Sequence, residues 1–428
     1  MKATDENRGR IRGTVEKCLR GVLPPETPLP GYDDDWIDRG LLDSMAHVDV
    51  LLAIASALNV PKLFGQSGGA LPTTLRAVVE TICSALSASA ATEIPKSWLV
   101  TSNEGASTGF AGWGSALGSD RVSILEVEQD FQLSNAVLAK NAGIDSVCRA
   151  SAIEDEVVLG KRAAQQALHR ARVSVQNLDW IIATSETFLG FPSFAASLHA
   201  TLLASATCQV LDIGGACIGL LNGLTVASAL CTNPRVQCVL IVSSDMHSRI
   251  LSAAKVPGKF GGLFGDGASA FLLQRRSQDL DQQPYVISGS LGGCAGAFSS
   301  LLRIRPGKDA SICLEFDGKG LARAAVDRME RMITDVEKAC GVDRAAFSAF
   351  ALHQPNPRLL DTLITRTSLP ADKVPLVAKY CGNLGSSTCG VALSMALDIH
   401  GTKLRNARGP ILAASLGPGM VWTGLVLG

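Results

Sequence analysis

The stretch LDIGGACIGLLNGL, residues 211–224, sets one cysteine, Cys217, between two apolar runs and among glycines. The run before it, CQVLDIG, has the length and composition of a strand. The run after it, CIGLLNGLTVASAL, is long enough for a helix and contains no proline. A strand, a Gly-rich turn and a helix place the turn's side chain at a helix N-terminus. There the free N–H groups and the helix dipole favour a thiolate. The Gly-x-Cys-x-Gly spacing also has the geometry of the serine elbow of hydrolases. Small residues surround cysteines in ordinary cores too, where Cys is among the most buried types. The local sequence leaves two readings of Cys217, a nucleophile and a buried thiol.

Outward from this stretch, strand and helix patterns alternate. RAAQQALHRARV reads as a helix, and LDWIIAT, QCVLIVSS and GASAFLLQ read as strands. The Gln/Asp-rich RRSQDLDQQP (275–284) then interrupts, and the pattern restarts. YVISGSLGG is a strand, GLARAAVDRMERMITDVEKA a helix, AFSAFALHQ a strand and VALSMALDIHGTKL a helix; GPILAASLG and MVWTGLVLG close as strands. The alternation predicts an α/β fold with two similar βαβ halves. Residues 213–230 are mostly small and apolar, as in a membrane span, but Asn222 and the glycines among them point to a helix buried in protein. GWGSALG (112–118) has the wrong glycine spacing for a dinucleotide loop and reads as the first strand's turn. GKFGGLFGDG lacks the Gly-Lys-Ser/Thr ending of a phosphate-binding loop.

The first 88 residues differ in kind. RGRIRGTVEKCLRGVL, SMAHVDVLLAIASALNV and TLRAVVETICSAL read as three helices joined by Pro-rich loops. The second carries apolar residues at Met45, Val48, Leu51, Leu52 and Ile54, and His47 on its early turn reads as solvated. Asp43 or Ser44 caps its start. Residues 89–105, rich in Ser, Ala and Thr, read as a linker, so the domains are 1–88 and 106–428. Lys+Arg and Asp+Glu balance at 39 each, which leaves no electrostatic footprint for nucleic acid or an anionic membrane. MKATDENRGR lacks the apolar core of a signal peptide. None of the 12 cysteines lies in a C-x-x-C pair, which fits free thiols in a reducing cytoplasm and no metal site.

Two further stretches weight the choice at Cys217. ALHQPNPRLLDTL ends an apolar run with His353, and YCGNLGSSTCGVALSMAL puts Asn383 in a Gly/Ser loop before a helix. Cys, then His-Gln-x-Asn, then Gly-Asn-x-x-Ser-Ser, in this order and at these distances, resembles the β-ketoacyl-acyl carrier protein synthase III family of the thiolase fold. FPSFAA, LFGDGASAFLL and SLGPGMVWTGLVL add to the match, which covers residues 106–428. The resemblance implies that Cys217 holds an acyl chain as a thioester. His353 and Asn383 would then donate hydrogen bonds to a malonyl-type thioester, whose loss of CO2 leaves an enolate. It also implies a homodimer and carrier-bound acyl and malonyl thioesters as substrates. The alternative on the same fold is an acyltransferase that moves the chain to an alcohol, an amine or a second carrier; a non-catalytic scaffold fits an intact Cys/His/Asn set least.

Two departures qualify the resemblance. LGPG (416–419) places Pro418, which has no N–H, where the family often has glycine, so a second oxyanion donor falls to Gly417 or Gly419. Val137 and Asn141 stand where relatives that accept coenzyme A carry Trp and Arg, which favours a carrier-bound donor. The N-terminal three helices, with Asp-Ser-Met at the second, resemble an acyl carrier protein. That resemblance implies a 4'-phosphopantetheine arm on Ser44, attached by a phosphopantetheinyl transferase. The helix after Ser44 offers only Asp49 before Asn59, so it lacks the usual acidic face. A tether about 17 residues long offsets this, because it can hold the effective concentration in the millimolar range.

Overall fold

A computed structural model describes residues 5–58, 71–90, 107–134, 136–276, 285–307, 312–400 and 409–428. The chain divides into two compact units, Met1–Lys96 and Ser97–Gly428.

The first unit has helices α1 (Asp5–Val22), α2 (Ser44–Ala57) and α3 (Leu75–Ala90). Each contributes apolar residues three and four apart to one core: Ile11, Val15 and Leu19, then Val50, Leu51 and Ile54, then Leu75, Val78, Val79 and Ile82. Trp36, fully buried, fills the loop side. Val48 faces outward at 39% exposure, off this stripe, while the side chains of Met45 and Leu52 lie outside the described residues. His47 is buried rather than solvated, because it stands one turn before Val50 and Leu51 on the inward face. Its Nε2 hydrogen-bonds with the Pro72 carbonyl at 2.9 Å, and its ring meets Trp36 edge-on. Asp43 caps α2, its Oδ1 accepting from the Ala46 N–H at 2.8 Å. Helix α3 runs two residues into the expected linker, and residues 91–106 lie outside those described.

In the second unit the strands are, in chain order, β1 (Ser107–Leu117), β2 (Asp120–Ser123), β3 (Ser146–Arg149), β4 (Trp180–Thr184), β5 (Gln209–Asp212), β6 (Cys238–Met246) and β7 (Asp266–Arg276). They continue as β8 (Ile287–Cys294), β9 (Leu302–Pro306), β10 (Ile312–Phe316), β11 (Ala349–Leu352), β12 (Ile411–Gly417) and β13 (Val421–Leu427). Two main sheets form, ordered β5-β4-β6-β7-β1 and β11-β12-β13-β8. In each, one parallel pair (β4–β6, β11–β12) is followed by two antiparallel pairs (β6–β7 and β7–β1, β12–β13 and β13–β8). The halves therefore repeat. The outer strand β5 has no counterpart strand among the described residues; the corresponding stretch makes a single parallel bridge, Phe264 to Asn383.

Helices Gly219–Leu230 and Ser386–His400 lie between the two sheets and share one core with both. Helices Glu156–Ala171 and Phe194–Leu202 cover the outer face of the first sheet, and Gly318–Cys340 and Pro357–Thr367 that of the second. This five-layer stack explains the apolar 213–230 stretch: its helix is enclosed by protein. No helix among the described residues is long and apolar enough to cross a membrane. All nine residues of β6 are buried, as a strand covered on both faces requires. GWGSAL lies inside β1 and is not a turn. Its glycines admit helix Glu156–Ala171: a Cβ on Gly112 would stand 2.0 Å from the Ala167 carbonyl oxygen, and one on Gly114 would stand 2.4 Å from that of Ala163.

Candidate active site

The repeat brings equivalent chain segments to one place. Cys217 and Asn383 each precede a central helix, and His353 follows β11 as Ser185 and Glu186 follow β4. The site thus forms at the carboxyl ends of the strands, where open α/β sheets gather ligand-binding loops. Cys217, His353 and Asn383 all line a single cavity of about 250 Å³. Glu186 and His247 line it too. Its remaining walls are mainly apolar, among them Phe260, Phe264, Phe316, Leu321 and Met329.

Cys217 sits on a single helical turn, Ala216–Ile218, that runs into helix Gly219–Leu230. The approach is tight, with positive φ at Gly215 (139°) and at Ala216 (50°). Ser415 Oγ donates to the Cys217 carbonyl at 2.6 Å and ties the turn to β12. A Cβ on Gly417 would lie 3.6 Å from the Cys217 nitrogen, whereas Gly419 has nothing within 4 Å of its Cβ direction. The Gly417 backbone thus passes beside the Cys217 turn. The thiol itself does not follow the expectation of a favoured thiolate. Burial, and then the charge of Glu186, push it well above the ordinary thiol range. A helix dipole is worth at most about 2 kcal/mol, or roughly 1.5 pK units, while full burial shifts a group by up to about 3–5. Burial wins.

His353 is the first residue past β11, and its N–H donates to the Ala414 carbonyl at 2.8 Å. It is buried, with Nδ1 unpartnered, and burial pulls its pKa down to about 4. The ring is therefore neutral near pH 7. The next residue, Gln354, holds this corner: its Oε1 accepts from the Val377 and Ala378 N–H groups, and its Nε2 donates to Pro375. Asn356 Oδ1 caps helix Pro357–Thr367 through the Leu359 N–H. Asn383 is fixed by its backbone, donating to the Leu263 carbonyl at 2.8 Å. Its Oδ1 accepts from the Gly385 N–H at 3.0 Å and from Thr388 Oγ1 at 3.2 Å. Among the described residues its amide NH2 has no hydrogen-bond partner, and the residue lines the cavity.

Sequence reasoning missed Glu186, His247 and Asp245. Glu186 Oε2 lies 3.4 Å from His247 Nε2. Asp245, fully buried, accepts from the Glu186 N–H at 2.6 Å and from Ser386 Oγ at 3.0 Å. Burial, with the charge of Glu186, raises Asp245 to about 7. Burial alone would raise Glu186, but His247 beside it holds the carboxyl below its usual range. The one sequence signal was the repeat itself, which makes the end of β4 the partner of the end of β11. Ser44 is the first residue of α2 in the other unit.

The larger unit is similar to known proteins in sequence and in fold. Residues 211–288 match the model of 3-oxoacyl-[acyl-carrier-protein] synthase III, and residues 337–428 match the model of its C-terminal part. The β-ketoacyl-[acyl-carrier-protein] synthase III of Sphingopyxis alaskensis is 28% identical over 321 residues, 74% of this chain and 97% of that protein. The crystal structure of 3-oxoacyl-[acyl-carrier-protein] synthase III from Aquifex aeolicus is 26% identical with a TM-score of 0.66, covering 75% of this chain and 99% of that one. OleA from Xanthomonas campestris, solved with bound lauric acid and lauroyl-CoA, shares the fold at 18% identity and a TM-score of 0.67, over 75% of this chain and 98% of its own. The larger unit is thus similar in sequence and fold to ketosynthase III enzymes over nearly their whole length.

Proposed function

We propose that this ketosynthase III-like chain is a condensing enzyme fused to its own carrier. Cys217 takes an acyl chain as a thioester, and a malonyl-type unit on a phosphopantetheine arm loses CO2 beside it. The enolate so formed attacks the acyl carbonyl and releases Cys217. One observation carries the reading: a neutral His353 and the free amide of Asn383 line the cavity that holds the Cys217 thiol. A neutral imidazole and an amide are what an enolate oxygen needs, since both donate a hydrogen bond without giving up a proton. Each is worth about 3–4 kcal/mol in the transition state. The apolar cavity walls suit an acyl chain. Simple transfer to an alcohol or amine has less use for a second enolate donor.

The carrier is residues 1–88, with 4'-phosphopantetheine on Ser44 installed by a phosphopantetheinyl transferase. A three-helix unit with its own core, and Ser44 heading α2 behind an Asp43 cap, support it. Acyl and malonyl thioesters on carriers are the substrates, and a homodimer is the working assembly. The test is release of labelled CO2 from [3-13C]malonyl on the Ser44 arm after addition of an acyl-carrier donor. Condensation gives one CO2 per β-ketoacyl product, and Cys217→Ala abolishes both. Turnover of the acyl donor without CO2 would establish transfer instead.

A further inference from the structure

The cavity contains a carboxylate for which condensation, as described, has no task. Glu186 is held from two sides: Asp245 accepts its backbone N–H, and His247 Nε2 stands 3.4 Å from Oε2. The loop after Asn383 closes over the pair at Gly385, which has φ of 59°. A Cβ there would lie 2.6 Å from His247 Cε1 and 3.1 Å from Glu186 Oε1. Oε1 is buried and has no hydrogen-bond donor among the described residues. The Cys217 thiol lines the same cavity as this carboxylate, and the charge of Glu186 acts on it. The titratable groups facing Glu186 are Cys217, His247, His353 and Asp245.

These contacts pose a chemical problem at Cys217. A buried thiol next to a carboxylate stays protonated near pH 7, and a neutral thiol is a poor nucleophile. The proton must leave as sulfur attacks, and it needs an acceptor within the same cavity. We propose that Glu186 is the general base and then the general acid of acyl transfer onto Cys217, with His247 as its positioning residue. The inference rests on the reading of Cys217 as acyl acceptor. As the bond from Cys217 Sγ to the acyl carbonyl carbon forms, the thiol proton moves to the Glu186 carboxylate. As the bond from that carbon to the donor sulfur breaks, the proton passes to the departing sulfur. The products are acyl-Cys217 and the free thiol of the donor, and Glu186 is again ionised. His247, on the other carboxylate oxygen, keeps Oε1 free for this exchange. The same path run backward returns a proton to Cys217 when a product leaves.

A purely electrostatic Glu186 would do the opposite, because its charge holds the thiol protonated. The full chain and Glu186→Gln are therefore compared in two reactions at pH 7. One is acylation of Cys217 by hexanoyl-N-acetylcysteamine, followed by quenched intact mass spectrometry. The other is alkylation of Cys217 by iodoacetamide, which reads thiolate and an intact site. The expected result is a fall in acylation of at least about 100-fold, the lower range for general acid–base catalysis. Alkylation is expected to stay equal or rise, since a negative charge has gone. If acylation instead keeps pace with alkylation, Glu186 is no base and the proposal is overturned, while the acceptor role of Cys217 stands. If Glu186→Gln loses both reactions, Glu186→Asp decides: recovered acylation supports the proposal, and none overturns it. A wild-type chain that takes no acyl group on Cys217 overturns this proposal and the function it rests on together.

Discussion

Replacing Asn383 by alanine separates the two halves of the reaction. The side chain has two separate duties. Its Oδ1 accepts from the Gly385 N–H and from Thr388 Oγ1, and its NH2 has no hydrogen-bond partner among the described residues. Losing one preorganised donor to a developing oxyanion lowers kcat by about 10²–10³, or ~3–4 kcal/mol. Losing the acceptor strands two buried donors, which costs about 1–3 kcal/mol of stability in all if water replaces part of it. In the proposed mechanism acylation of Cys217 uses neither group, because Asn383 acts on the thioester of the malonyl-type unit and not on the acyl carbonyl. The assay follows one sample two ways, by acyl occupancy of Cys217 in intact mass spectra and by β-ketoacyl product over time. The variant is expected to reach full occupancy at a near-normal rate while product formation drops at least about 100-fold. If product formation falls less than about threefold, Asn383 is not an enolate donor. If occupancy falls in parallel with product, Asn383 serves the shape of the site and not the second half-reaction.

Further expectations concern stability. Gly112→Ala would press a Cβ to within 2.0 Å of a backbone oxygen of helix Glu156–Ala171, so the sheet and helix must part. A loss of about 3 kcal/mol or more is expected in denaturant titration, with the midpoint unchanged only if that contact is wrong. Burial holds His353 near a pKa of about 4 in the folded chain, against the ordinary histidine value of 6.5. A depressed folded pKa contributes stability above the unfolded value, lost as pH falls from 6.5 toward 4. The loss is up to ~3 kcal/mol. His353→Asn should flatten the stability curve across that window, and an unchanged slope would show that the ring is not buried neutral.

The two halves were legible because each sheet is covered on both faces. Doubly covered strands such as β6 read as unbroken apolar runs, and the central helices as runs of small apolar residues. Cys217, His353 and Asn383 were legible only as a set. Each stands in a loop that alone resembles ordinary turn chemistry. What stayed hidden were features that depend on long-range packing. The glycines of β1 looked like a turn because their purpose lies in a helix some fifty residues away. His47 looked solvated because its partners, Trp36 and Pro72, come from loops on either side of α2. Glu186 looked like one polar residue in a loop, and its meaning depends on His247, 61 positions further on. The thiol's protonation went against the helix-dipole argument because a sequence displays the dipole but not the depth of burial.

The central claim is that Cys217 carries the acyl chain that is condensed on the chain's own arm. The direct measurement is peptide-resolved mass spectrometry. The chain is first treated with a phosphopantetheinyl transferase and malonyl-coenzyme A, then given a short acyl-carrier donor. An acyl mass on the peptide bearing Cys217, followed by a β-ketoacyl mass on the arm at Ser44, is the expected result. An unmodified Cys217 peptide, with the donor consumed or the arm extended regardless, would contradict the account.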